Sequence, residues 1–159
     1  MNEAHIVQAL RTAGGRRGGK LAGWHPADLG GQVVNALVDR TGLDPAAIED
    51  VILGCVTQAG EQAFALARNV VLASKLPDSV PAVTIDRQCR SSQPAIHFAA
   101  QAVMSETQDI VVAAGVESMT RVPMFSNMAL HQKEGLEGGR TMNETESGRV
   151  QNGIALRQN

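Results

Sequence analysis

Ile110 to Val116, "IVVAAGV", carries no polar side chain. A strand that packs on one face only alternates apolar and polar residues, so an unbroken run predicts a strand covered by helices on both faces. That requirement points to a layered α/β domain. The rest of the chain fits it, because short apolar runs alternate with helical periodicity. "AHIVQAL" (Ala4 to Leu10) reads as a first strand, followed by a glycine-rich loop over Gly14 to Gly23. Pro26 opens a helix with an apolar stripe at Leu29, Val33 and Leu37, in which Gly30 and Gly31 either weaken the helix or let another backbone approach. Asp44 before Pro45 caps a short helical turn ahead of the strand "DVILGC". Phe64, Ala67 and Val71 then place a helix over Glu61 to Leu76, followed by a strand in "VPAVTID". A helix led by Cys89 carries Ile96, Ala99, Ala100, Val103 and Met104 at helical spacing and reads as a core helix. The expected architecture is a mostly parallel mixed sheet covered by helices.

Composition narrows the function. The chain has 159 residues, 43% apolar and 19% charged, but only 3% aromatic with no tyrosine, so its core must be aliphatic. A net charge of -2 lacks the basic field of a nucleic-acid binder. The cluster "RRGGK" at Arg16 to Lys20 reads as a solvated loop, or as a contact for a phosphate-bearing small molecule. No apolar run approaches the ~20 residues needed to span a bilayer. Cys55 and Cys89 form no CxxC pair and no zinc spacing, and the four histidines do not cluster with them, so no metal site is expected. A reducing, cytoplasmic setting follows. From His131 to Asn159 only six of twenty-nine residues are apolar while eight are charged, which predicts loop or disorder. The expected division is 1–124 as the folded part and 125–159 as a remnant or tail.

The chemistry gathers at Thr84 to Met104, "TIDRQCRSSQPAIHFAAQAVM", where a strand-like run meets a helix at a cysteine. Unpaired N–H groups and the positive end of the helix dipole favour a thiolate at such a junction. Cys55, after a glycine at the end of another run, reads as a small wall residue. Gly54 to Gly60, Cys89 and Gly115 to Arg121 each follow a strand, so they converge on the carboxyl edge of the sheet, where α/β folds hold ligands. Glu117 there reads as a buried capping or bridging acid. His97 and His25 read as local structure rather than as bases. Pro94, five residues past Cys89, leaves two possibilities: a helix that starts at Cys89 and bears a misplaced proline, or one that starts near Gln93 and separates its dipole end from the thiol.

Four segments resemble the thiolase family, in its order and spacing: "IVQALRTAGGRRGG", "ILGCVTQAGEQAFALAR", "TIDRQCRSSQPAIHFAAQAV" and "VAAGVESMTRVP". The resemblance covers Ala4 to about Met124. It implies a thiolase-type acyl-CoA acyltransferase in which Cys89 is the acylated nucleophile and its own N–H contributes to an oxyanion hole. It implies coenzyme A thioesters as substrates, with no bound cofactor, and a homodimer formed through the strand preceding Cys89. No nucleic-acid or membrane partner is implied. The match is to an N-terminal portion: the family's "GHP" histidine and "CxGG" cysteine motifs are absent from this sequence, so the chain is expected to be inactive alone. Arg90 stands where the family has a small residue, and its bulk is expected to obstruct the acyl-CoA. The alternative reading is a non-catalytic thiolase-fold binding or dimerisation module. A nucleotide-binding domain is disfavoured, because no strand leads into GxGxxG or a P-loop.

Overall fold

In a computed structural model of the chain, residues 2–129 and 133–135 are described. The chain divides into two units, Met1–Asn127 and Met128–Asn159. Most of the second unit, including the predicted loop or disorder over His131 to Asn159, lies outside the described residues.

The first unit is built on a parallel sheet of β1 (Asp50–Gly54), β2 (Ala82–Ile85) and β3 (Val111–Gly115), in the order β2-β1-β3. Helix α1 (Pro26–Thr41) precedes β1, α2 (Leu66–Leu72) links β1 to β2, and α3 (Ser92–Met104) links β2 to β3. Helices α1 and α2 pack on one sheet face, where Val34, Val38, Leu66, Val70 and Val71 meet Val51, Leu53 and Val112. Ala95 and Ala99 of α3 cover Ile52 on the other face. The two crossovers run in opposite directions on opposite faces and so share one hand, as parallel connections require. Leu53 and Leu66 are wholly buried, and burial of each contributes roughly 1.5–3 kcal/mol. No helix among the described residues is long and apolar enough to cross a membrane.

Local signals set most boundaries. The His25 ring accepts from the Ala27 N–H ahead of Pro26, and Gly42, in the left-handed region at φ 67°, ends α1. The Asp44 carboxylate accepts from Ala46 N–H and caps a 3₁₀ turn at Pro45–Ala47. Of the two readings of Gly30 and Gly31, close approach holds. A Cβ on Gly31 would lie 2.7 Å from the Ala73 carbonyl oxygen, and one on Gly30 would lie 2.7 Å from a Val70 methyl.

Several expectations need correction. The buried stripe of α1 is Ala27, Gly31, Val34 and Val38, because the tight contact of Gly31 with Ala73 turns that face toward α2; Leu29, Val33 and Leu37 are only partly buried. The helix expected over Glu61 to Leu76 is a 3₁₀ turn at Gly60–Gln62 followed by the shorter α2. Between them Phe64 and Ala65 are left-handed, at φ 54° and 53°, and Phe64 is 93% exposed. Tertiary bonds override the periodicity there: Gln62 is drawn to the Thr57 carbonyl, and the Thr84 hydroxyl accepts from the Ala67 N–H. Helix α3 buries only one face, leaving Ile96 47% exposed, because nothing among the described residues packs over its other side. The segment Ala4 to Leu10 forms no strand. A cavity separates it from β3, in which only Val112 is buried, Val111, Ala113 and Ala114 are partly buried and Gly115 is exposed.

Candidate active site

Parallel pairing aligns the carboxyl ends of the three strands, with Gly54 beside both Ile85 and Gly115. The loops that follow therefore meet at one edge, as the spacing of the motifs requires. Two glycines form the floor of this edge. A Cβ on Gly54 would lie 2.4 Å from the Ser91 carbonyl carbon and the Ser92 nitrogen, and one on Gly115 would lie 1.9 Å from Ser92 Oγ. Only glycine lets the turn into α3 rest on the sheet at this distance.

Cys89 sits in that turn and is exposed. Asp86 Oδ1 accepts from Gln88 N–H at 2.6 Å, while Ser91 Oγ accepts from Arg87 N–H at 2.9 Å and donates to the Gln88 carbonyl at 2.7 Å. These bonds hold Gln88 at φ 49°, a conformation that costs a non-glycine residue about 1–3 kcal/mol, directly before the thiol. Strand, strained turn and helix thus present the Cys89 side chain outward. Helix α3 starts at Ser92, so the expectation of a helix led by Cys89 is corrected: Arg90 and Ser91 intervene. This agrees with the second possibility raised by Pro94, which occupies the third helical position, where its missing N–H breaks no intrahelical bond. Arg90 is exposed, and the Arg87 guanidinium lies 5.9 Å from the centre of the Phe98 ring.

Glu117 is a bridging acid, exposed where a buried one was expected. Its carboxylate accepts from Val56 N–H at 2.7 Å, Thr57 N–H at 3.2 Å and Gln62 Nε2 at 3.1 Å, tying the loops after β1 and β3 together. Gln62, fully buried, also donates to the Thr57 carbonyl at 2.8 Å and accepts from Ser118 N–H at 2.6 Å. Sequence reasoning passed over Gln62; its one signal was an amide placed between the glycine-bearing loop and an apolar stretch. Arg121 pairs with Glu61, holding that carboxyl below its ordinary range, and also reaches the Ala22 and Gly23 carbonyls. Among the described residues no three histidine, cysteine or acidic side chains gather as metal ligands.

The two cysteines differ sharply. Cys55 is 1% exposed, and burial, followed by the Glu117 charge and hydrogen bond, pushes its thiol up to about 12. That makes it a wall residue. Native protein titrated with a bulky disulfide reagent at neutral pH is expected to show one rapidly reacting thiol, lost in Cys89→Ala, and two after denaturation. The raised Cys55 value also fixes a sign. Between about 9 and 12 the folded state holds a proton that the unfolded state has released, so this contribution to stability is complete below pH 9 and is lost as pH rises to 12. Cys55→Ala should flatten alkaline unfolding in that window, as read by denaturant titration.

Residues 4–152 match the family model described as the thiolase N-terminal domain. The chain is 53% identical over 135 residues to the steroid 3-ketoacyl-CoA thiolase of Mycobacterium tuberculosis, covering 85% of this chain and 33% of that protein. It is 44% identical over 128 residues to the beta-ketoadipyl-CoA thiolase of Pseudomonas knackmussii, covering 80% and 32%. The crystal structure of the Bacillus anthracis acetyl-CoA acetyltransferase superposes with a TM-score of 0.63 at 39% identity, covering 67% of this chain and 27% of that one. The chain spans about a third of the length of the curated relatives it matches.

Proposed function

The chain belongs to the thiolase family, and from that premise we propose that it carries the acyl-accepting cysteine of a thiolase-type acyltransferase. Cys89 is the nucleophile. Its Sγ attacks the thioester carbonyl of an acyl-CoA, the carbon–sulfur bond to coenzyme A breaks, and coenzyme A leaves with the thiol proton. The observation that carries this reading is the exposed thiol in a strained turn, seated on Gly54 and Gly115 where the motif-bearing loops meet. Coenzyme A thioesters are the substrates.

A general base and a second oxyanion site are needed for turnover, and the sequence motifs that bear them in the family, "GHP" and "CxGG", do not occur here. On this proposal these 159 residues do not cleave 3-ketoacyl-CoA by themselves; the second reading is a non-catalytic module of the same fold. Residues 1–124 form a partial N-terminal domain, with 125–159 a loop-domain remnant or tail. The homodimer pairs through β2. Pro81 and Ile85 give their carbonyls to β1, so by alternation Ala82 and Thr84 direct their backbone groups outward at that sheet edge. The setting is the reducing cytoplasm.

Substrate protection tests the assignment. Saturating acetyl-CoA should slow alkylation of Cys89 by iodoacetamide several-fold, while acetoacetyl-CoA with coenzyme A shows no cleavage above the buffer rate. Unchanged alkylation would remove the substrate assignment, and turnover would remove the claim of inactivity.

A further inference from the structure

The turn that carries Cys89 is locked by the side chains that flank it. Arg90 N–H donates to the Arg87 carbonyl at 3.2 Å, so Gln88 and Cys89 are the two central residues of a closed four-residue turn. Gln88 stands at φ 49°, and a positive φ at the first central position belongs to turn types that favour glycine there. Two residues hold it against that preference. Asp86 accepts from Gln88 twice, from the backbone N–H on Oδ1 at 2.6 Å and from the side-chain amide on Oδ2 at 3.3 Å. Ser91, 5% exposed, stands at the N-cap of α3, yet its hydroxyl makes no capping bond to the helix. An N-cap serine ordinarily accepts from the N–H groups of the first helical turn. This one is turned back instead: it accepts from Arg87 N–H at 2.9 Å and donates to the Gln88 carbonyl at 2.7 Å.

We propose that Asp86 and Ser91 are positioning residues for acyl transfer: by holding Gln88 left-handed they fix the direction in which Cys89 Sγ meets the thioester. The proposal rests on the reading of Cys89 as the nucleophile. In the step concerned, Sγ replaces coenzyme A on the acyl carbon, and the thiol proton leaves with coenzyme A. Such an attack tolerates little misalignment, since a displacement of about 1 Å costs on the order of 100-fold in rate. Gln88 is the residue on which the alignment depends. Relaxation from 49° to an ordinary helical φ of about −60° would rotate the chain by roughly 110° immediately before the thiol. Both locking residues are in turn referred to the sheet. Asp86 follows β2 directly, and the Ser91 carbonyl rests on Gly54, where a Cβ would approach its carbon to 2.4 Å. Asp86 and Ser91 thus act through the Gln88 backbone, and the sheet supplies the fixed frame.

The test compares two reagents on the full chain and its variants: acetyl-CoA, with acetylation of Cys89 followed by intact mass, and iodoacetamide, a small alkylating agent that no substrate-binding contact orients. Asp86→Ala should slow acetylation about tenfold while alkylation changes by less than about twofold. Asp86→Asn keeps an oxygen acceptor for Gln88 N–H and should stay within about threefold of wild type. Adding Gln88→Gly to Asp86→Ala should restore most of the lost rate, because glycine holds a positive φ unaided. A role in folding alone would move both reagents together and gain nothing from the glycine. The proposal is overturned by wild-type acetylation in Asp86→Ala, by equal losses with both reagents, or by no recovery in the double variant. An unacetylated wild type removes the nucleophile reading and this proposal with it, whereas an acetylated wild type with unaffected variants removes this proposal alone.

Discussion

Gly54→Ala is expected to cost about 3 kcal/mol or more, at the upper end of overpacking effects. For a chain of this size that lowers the unfolding midpoint by about 6–12 °C. The added methyl would lie 2.4 Å from two backbone atoms, the Ser91 carbonyl carbon and the Ser92 nitrogen, and neither can rotate away. Relief requires the first turn of α3 to lift from the sheet, and Ala95 and Ala99, which pack against Ile52, would lift with it. Gly115→Ala tests the reasoning by contrast. Its nearest obstacle is the Ser92 hydroxyl, so the loss should be smaller, about 1 kcal/mol, and should shrink further when combined with Ser92→Ala. Thermal unfolding followed by circular dichroism separates the two; equal losses would show that the backbone contact at Gly54 is not what holds the turn.

Gln62→Glu should cost about 3 kcal/mol at neutral pH and recover part of that loss in acid. The orientation of the Gln62 amide follows from its partners, because Ser118 N–H requires an acceptor while the Thr57 carbonyl and the Glu117 carboxylate require a donor. An ionised carboxylate in its place faces two acceptors and loses both bonds in a fully buried position. Burial and Glu117 raise the pKa of the introduced group above its unfolded value. The folded state then holds the extra proton, so the deficit relative to wild type is smallest below the ordinary carboxylate range and grows as pH rises through the raised value. Urea midpoints measured from pH 4 to 8 check this; a deficit independent of pH would mean that the amide serves only to fill space.

The sequence carries the skeleton of the fold openly. Apolar runs locate β1, β2 and β3, while Pro26 and Asp44 with Pro45 mark the helix and turn starts; the end of α1 at Gly42 emerges only from the structure. Convergence of Cys89 and the glycine-bearing loops follows from parallel strands alone, and the contrast between Cys55 and Cys89 follows from position. Features that depend on distant partners were not legible. The periodicity through Phe64 cannot show that Gln62 will be drawn to Thr57 and Glu117, breaking the helix before Leu66. The apolar character of Ala4 to Leu10 cannot show that no ladder will form there. Pro94 left two helix starts open in the sequence, and the structure takes the one separated from the thiol, in which its ring falls in the first turn and not in the interior.

That separation gives the site its particular form. Cys89 is presented by a turn, with Gln88 in a strained conformation fixed by Asp86 and Ser91, on a floor of two glycines. The most direct measurement of its proposed role is the intact mass of the chain after incubation with acetyl-CoA, with peptide mapping and a Cys89→Ala control. One acetyl group per chain, located on Cys89 and absent from the variant, is the predicted result. An unmodified chain, or an acetyl group retained in the Cys89→Ala variant, would contradict it.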